Sequence, residues 1–214
     1  ADGEYPFSYH HMIPGEELLS EQYDGLSEAQ KDSLARSVAH FFQHMHAVPI
    51  DVALGFGVVD LSVEVKSVSA IEKWYDRLGG STDKAQFDRF LVLYEKLISI
   101  HDTPVFGHFD VGGSNMAFDL TAGKLNGIFD FGDVRIEMRH EDFSPLSSLS
   151  ADFVGRLAQH YTALTNVPID LSMVSTYTLL NLYSDLLEIY ENAHISDPHV
   201  SALIQKSWDT LQFA

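Results

Sequence analysis

The sequence predicts an α+β domain, mostly helical, in which long helices gather around one small β-hairpin. Apolar residues recur at helical spacing through several long segments, as at Leu34, Val38, Phe41, Phe42 and Met45. Between about residues 105 and 129 the period shortens to that of strands. Helices and strands do not alternate along the chain, as the βαβ units of a parallel sheet require. Two hairpin strands are too few to stand alone, so the helices must cover them.

Taken in order, residues 5–15 are extended and bounded by Pro and Gly. Ser27 and Gln30 then form a capping box that satisfies backbone N–H groups at the start of a helix, and Pro49 stops it. The stretch 51–67 is ambiguous. A short helix is expected over 69–78, ending at Gly79-Gly80. A stronger one covers 83–101, with Phe87, Phe90, Leu91, Tyr94, Leu97 and Ile98 as its stripe. Val105 to Phe109 reads as a strand. Residues 116–119 and 125–129 flank a turn at Thr121-Ala122-Gly123, which makes the hairpin. Helices return over 149–165, 171–193 and 198–212, the last opened by Asp197 and Pro198.

Composition narrows the function classes. The chain has 214 residues, 45% of them apolar, so a packed core is available. No apolar run approaches the roughly 20 residues that span a bilayer, and no signal peptide is visible at the acidic N-terminus. The absence of Cys excludes disulfides, thiolate metal sites and cysteine nucleophiles. A net charge of −18 repels phosphate backbones and anionic lipid, so neither nucleic acid nor a membrane is expected as a partner. The same charge draws in a cationic small molecule, with solubility as the plainer reading. A cytoplasmic location is expected.

The chemistry-bearing segment is His108-Phe109-Asp110-Val111-Gly112-Gly113-Ser114-Asn115, of pattern H-x-D-x-x-x-x-N. It is followed by Gly127-Ile128-Phe129-Asp130-Phe131-Gly132-Asp133, with an Asp at the end of an apolar strand. A hairpin between them is the arrangement of a kinase catalytic loop and its metal motif. Phosphoryl transfer to a hydroxyl needs a carboxylate that takes or orients the hydroxyl proton, a role that suits Asp110. It also needs hard oxygen ligands for Mg2+, which suit Asn115 and Asp130. Gly112 and Gly113 let the loop turn where side chains would crowd. His108 reads as a structural partner of the loop rather than a base. Asp133 is either a substrate-side or supporting carboxylate or a cap. Asp185, Glu188 and Glu191 share a helix and either face a cationic substrate or form a solvated face. His40, His44 and His46 lack a metal-ligand pattern and read as surface or boundary residues.

These residues resemble the aminoglycoside phosphotransferase and choline kinase superfamily. Its loop typically reads H-G-D-x-x-x-x-N and its second motif lies near I-D-W/F-x-D. Phe109 stands here where Gly is usual, and the stretch after Asp133 only loosely follows the family's D-P-x-x-D-L segment, with Asp142 as a counterpart. Residues 5–18 look like the family's interlobe hinge, whose backbone groups hydrogen-bond adenine, and residues 42–49 like the end of its first large C-lobe helix.

The resemblance implies a protein-kinase-like C-terminal lobe, with a hinge remnant at 1–17 and a helical lobe at 18–214. That lobe carries a catalytic loop at 108–115 and a metal motif at 127–133. Ser8, Tyr9 and His10 would contact the nucleotide, Asp110 would be catalytic, and Asn115 and Asp130 would hold Mg2+. The donor would be ATP or GTP and the acceptor a small-molecule hydroxyl, aminoglycoside-like or otherwise cationic or polar.

In similar proteins an N-terminal lobe precedes the hinge, so these 214 residues alone are expected to be inactive. Gly55-Phe56-Gly57-Val58 with the strand-like run ending at Lys66 glances at a Gly-rich loop and lysine strand. It lacks a third Gly and follows the hinge, so it reads as an insertion. A catalytically silent fragment or binding module of the same fold is the alternative. A homodimer is expected through apolar surface around Tyr5, Phe7, Tyr9, Met12 and Ile13.

Overall fold

Three of the described helices begin on a side-chain cap, at Ser27, Ser67 and Asp83. After a short α1 (Ser20–Asp24), α2 (Glu28–His46) opens on Ser27, whose hydroxyl accepts from the Gln30 N–H while the Gln30 side chain accepts from the Ser27 N–H at 2.9 Å. Its buried face is Leu34, Ala35, Val38, Ala39 and Phe42, with Phe41 and Met45 half-buried beside it. Part of the undecided stretch is a short α3 (Ile50–Gly55). The segment after it runs to the strand Arg135–Met138, where Ile136 N–H donates to the Val59 carbonyl and Leu61 N–H to the Ile136 carbonyl, both at 2.9 Å. That course agrees with an insertion rather than a phosphate loop. Next come α4 (Val68–Arg77) and α5 (Lys84–Ser99), the latter capped by Asp83 accepting from the Gln86 N–H at 2.9 Å. The computed structural model describes residues 11–62, 66–78, 83–100 and 102–193, with side chains to 188.

Four short strands follow: β1 (Pro104–Gly107), β2 (Met116–Asp119), β3 (Lys124–Ile128) and β4 (Arg135–Met138). β2 and β3 form the foreseen hairpin, from Met116 opposite Ile128 to Asp119 opposite Lys124. β1 pairs antiparallel with β4, Gly107 opposite Arg135, and this strand was not foreseen. Val134, Ile136 and Met138 alternate with Arg135 and Glu137, a short strand signal in which only Ile136 is fully buried. The strand expected to reach Phe109 stops at Gly107, because Phe109 has φ +60 and leaves the β region. A 3-10 segment (Arg139–Ser148) then leads into α6 (Ala151–Thr165) and α7 (Leu171–Ala193). Among the described residues no helix is long and apolar enough to cross a membrane.

Two apolar cores result. Phe42, Phe118, Phe143, Phe153 and Tyr161 join α2, α6, the hairpin and the 3-10 segment. Trp74, Phe87, Phe90 and Tyr183 join α4, α5 and α7. The first turn of α7 serves both, with Val174 in one core and Met173 in the other. Burying each such side chain contributes roughly 1.5–3 kcal/mol. The 3-10 segment packs against α6, α7, β1 and β4, so it holds β1 and the loop that follows it to both cores.

Ser8, Tyr9 and His10 lie outside the described residues, as do Tyr5, Phe7 and the helix expected over 198–212. Met12 is exposed, while Ile13 packs over Gly127. Glu16 pairs with Phe118 through two 2.9 Å hydrogen bonds, which lays this segment along the hairpin.

Candidate active site

β1 delivers the loop His108–Asp110, and one carboxylate behind it sets the loop's shape. Asp142 is fully buried. It accepts from the backbone N–H of His108 at 3.2 Å, from the backbone N–H of Phe109 and from His46 Nε2 at 2.9 Å. Gly107 makes room for this: a Cβ there would lie 2.5 Å from Asp142 Oδ2 and 2.8 Å from the Phe109 ring. Phe109 is held left-handed, which costs a non-Gly residue roughly 1–2 kcal/mol. Asp130 is also left-handed, at φ +61, so two of the three such non-Gly residues among those described flank the site.

His108 links the two motifs. A carbonyl can only accept and an N–H can only donate, so the Phe129 carbonyl at 3.1 Å places the ring proton on Nε2. Nδ1 then accepts from the Asp110 N–H at 3.3 Å. The fully buried ring packs between Phe41 and Phe131, which agrees with a structural partner of the loop.

Asn115 and Asp110 are in direct contact. Asn115 Nδ2 donates to the Asp110 carbonyl at 2.8 Å and to its Oδ2 at 2.7 Å. The Asn115 carbonyl accepts from the Phe129 N–H at 3.1 Å, so the hairpin returns Asp130 to one residue from Asn115's backbone partner. Gly113 is required by close approach, since a Cβ would meet the Leu18 carbonyl oxygen at 1.9 Å. With its nitrogen committed to Asp110, Asn115 has its amide oxygen left to offer. Asp130 is exposed and in no ion pair among the described residues. An amide oxygen and a free carboxylate are hard donors, the chemistry that fits Mg2+.

Behind the loop, His46 departs from the surface or boundary reading. Its side chain is only 3% exposed, and it bridges Asp142 to the Tyr161 hydroxyl, 2.9 Å from Nδ1. His140 is likewise buried: Nδ1 lies 2.8 Å from Asp102 Oδ2, and Nε2 accepts from the Asp170 N–H at 3.1 Å. Burial opposes the Asp102 charge, but the bonds from His140 and Thr103 outweigh it and hold that carboxyl below its usual range.

On β4, the Arg135 guanidinium carbon lies 4.4 Å from the Phe109 ring centroid. Its Nη2 is 3.2 Å from Glu141 Oε1, and its Nη1 donates to the Asp133 carbonyl at 3.3 Å. Glu141 is largely buried; burial first, then the Glu137 charge, outweigh Arg135 and push its carboxyl up to about 7. The folded chain thus holds this proton more tightly than the unfolded chain. The stability it contributes is complete below the ordinary value of 4.5 and is lost as pH rises through about 7. Glu141→Gln is expected to leave stability unchanged at the acid end and raise it by roughly 2–3 kcal/mol near pH 8. Urea denaturation across that range checks this, and equal effects at both ends would contradict it.

One carboxylate of α7 feels the charge of the loop. Asp185 keeps surface in solvent, yet crowding by protein around its carboxyl raises its pKa, followed by the charges of Glu188 and Asp110. Of the two readings of this helix face, at least Asp185 therefore lies in electrostatic reach of Asp110. Asp133 is exposed. Asp142, His46, Arg135 and Asp185 are the residues that sequence reasoning left loose or missed. Asp142 carried a signal through its counterpart in the resembled motif, and Asp185 through its place on an acidic helix face.

Solved structures share this architecture. The GDP complex of wild-type aminoglycoside 2'-phosphotransferase-IIIa matches with a TM-score of 0.74 at 21% identity, covering 94% of this chain and 67% of that one. The ADP-bound aminoglycoside phosphotransferase APH(2'')-Ib matches with a TM-score of 0.55 at 25% identity, over 94% and 69%. Macrolide 2'-phosphotransferase type I matches with 0.57 at 15% identity, over 92% and 67%. The chain thus spans about two thirds of the length of these relatives and shares their kinase-like α+β fold. A search of curated proteins found no match. The model of the phosphotransferase enzyme family (APH) matches residues 1–170, most of the chain. With Asp110, Asn115 and Asp130 gathered at one end of the hairpin, the chain belongs to the phosphotransferase enzyme family.

Proposed function

We propose that this chain is the catalytic-loop and acceptor lobe of an ATP- or GTP-dependent enzyme that phosphorylates a hydroxyl of a cationic small molecule, aminoglycoside-like in charge. The observation that carries the reading is the Asn115 amide donating to Asp110 while the Asn115 backbone pairs with Phe129, next to Asp130. Asp110 Oδ2 is tethered by Asn115, which leaves Oδ1 for the acceptor hydroxyl. As the acceptor oxygen bonds to the γ-phosphorus, its proton passes to Asp110 and the nucleoside diphosphate leaves. Asn115 and Asp130 would hold Mg2+, which, when bound, neutralises charge on the phosphates. The Asp110 charge felt at Asp185 supports a cationic acceptor, since an amine between them relieves repulsion between the carboxylates. Ser8, Tyr9 and His10 would present backbone groups to the nucleotide base.

The test is phosphate transfer by the full-length protein from Mg-ATP or Mg-GTP to a panel of hydroxyl compounds with and without amines. Transfer confined to the amine-bearing members is expected. Binding of such compounds without transfer would favour the silent binding module instead. Asp130→Ala should weaken Mg-nucleotide binding about tenfold or more and lower turnover with it. Nucleotide affinity unchanged by that substitution, measured by calorimetry, would remove Asp130 from the metal site.

A further inference from the structure

We propose that Arg135 and Phe109 form a positioning pair for Asp110, with the guanidinium on the Phe109 ring supplying the hold that a loop glycine's freedom would make unnecessary. The inference rests on the phosphotransferase reading of the site, but its structural part can be measured without activity.

Position 109 has φ +60, a conformation that glycine adopts freely and phenylalanine resists. Asp142 grips the two N–H groups that precede the Phe109 Cα, those of His108 and of Phe109 itself. The peptide between Phe109 and Asp110 is held by one 3.3 Å bond to the His108 ring, with the Asp110 carbonyl beyond it accepting from Asn115 Nδ2 and the Gly112 N–H. The Phe109 side chain is therefore the remaining handle on that torsion. Its ring is 6% exposed, wedged over Gly107, where even a Cβ would collide with it. Arg135 lies across the strand pair from Gly107 and places its guanidinium 4.4 Å from the ring centroid, in cation–π range.

Arg135 is itself fixed. Glu141 and the Asp133 carbonyl take its two terminal nitrogens, while its buried Nε has no hydrogen-bond partner among the described residues. The side chain thus keeps its plane near the ring at the cost of one unpaired donor. Because Asp133 closes the turn that begins at Asp130, Arg135 also ties that turn to the catalytic loop. If the guanidinium is removed, the cheapest relaxation is rotation of Phe109 toward negative φ. That rotation swings the following peptide and pulls Asp110 away from Asn115.

The test is a double-mutant cycle in the full-length protein with Arg135→Met and Phe109→Gly. Amide hydrogen exchange at 108–110 is one readout. The other is kcat and acceptor KM with Mg-nucleotide. Arg135→Met alone is expected to speed exchange and lower kcat about tenfold each, the size of one partly buried cation–π contact, with KM within about twofold. In the Phe109→Gly background the same substitution should change neither by more than about twofold, because glycine needs no hold. Should Arg135→Met not fold, Phe109→Leu keeps the bulk and removes the ring. It should speed exchange at 108–110 to the same extent. Equal losses from Arg135→Met in both backgrounds would mean that Arg135 only supports the fold and would overturn the pair. So would wild-type exchange in Arg135→Met or in Phe109→Leu. Absence of transfer by the wild-type protein would instead count against the phosphotransferase reading and leave the exchange result to decide the pairing.

Discussion

On the proposed function, Asp110→Ala is expected to lower kcat by about 10^2–10^4-fold, the usual contribution of a positioned general base, while Mg-nucleotide affinity stays within about twofold. The asymmetry follows from the loop. Asp110 contacts Asn115 through its carbonyl as well as its carboxylate, so truncating the side chain keeps the 2.8 Å bond to the backbone. Asn115 therefore stays in place with its oxygen still available. Single-turnover transfer paired with calorimetric nucleotide titration separates the two effects. Turnover within tenfold of wild type would take the base role away from Asp110.

Asp142→Ala is expected to cost stability and turnover together. Three buried donors, the N–H of His108, the N–H of Phe109 and His46 Nε2, lose their acceptor. Stranding such groups costs roughly 3–5 kcal/mol, the range for breaking a buried hydrogen-bonded charge pair. The freed loop displaces Asp110, and a misplacement of about 1 Å is enough for roughly 10^2-fold in rate. Asp142→Asn is the milder companion, since it keeps one acceptor oxygen but turns an NH2 toward an N–H. Its stability should fall between wild type and Asp142→Ala. Urea denaturation and exchange at residues 108 and 109 are the measurements. A variant with wild-type stability and a protected loop would refute the anchoring role.

Much of this was legible because it is local. The Ser27–Gln30 box, the apolar stripe of α2 and the Thr121–Gly123 turn each act within a few residues, where spacing is a direct statement about geometry. The spacing of Asp110, Asn115 and Asp130 was legible for the same reason, since a tight hairpin converts a short separation into adjacency. β4 went unread although Val134, Ile136 and Met138 alternate with Arg135 and Glu137. The signal is short, and its partner β1 lies far upstream, so the pairing could not be seen along the chain. His46 looked ordinary because its bond to Asp142 spans 96 residues of sequence.

The sequence by itself determined the α+β class, the helical segments and the identity of the three polar residues at the end of the hairpin. These depend on periodicity, caps and turn chemistry, which are properties of neighbours along the chain. Only the tertiary structure decided that Asp142 anchors the loop from 33 residues away, that Arg135 covers Phe109, and that Asp185 of α7 stands in electrostatic reach of Asp110. Buried polar groups take whichever partner the packed cores bring within hydrogen-bond range, and that choice is made only once the helices and strands have docked.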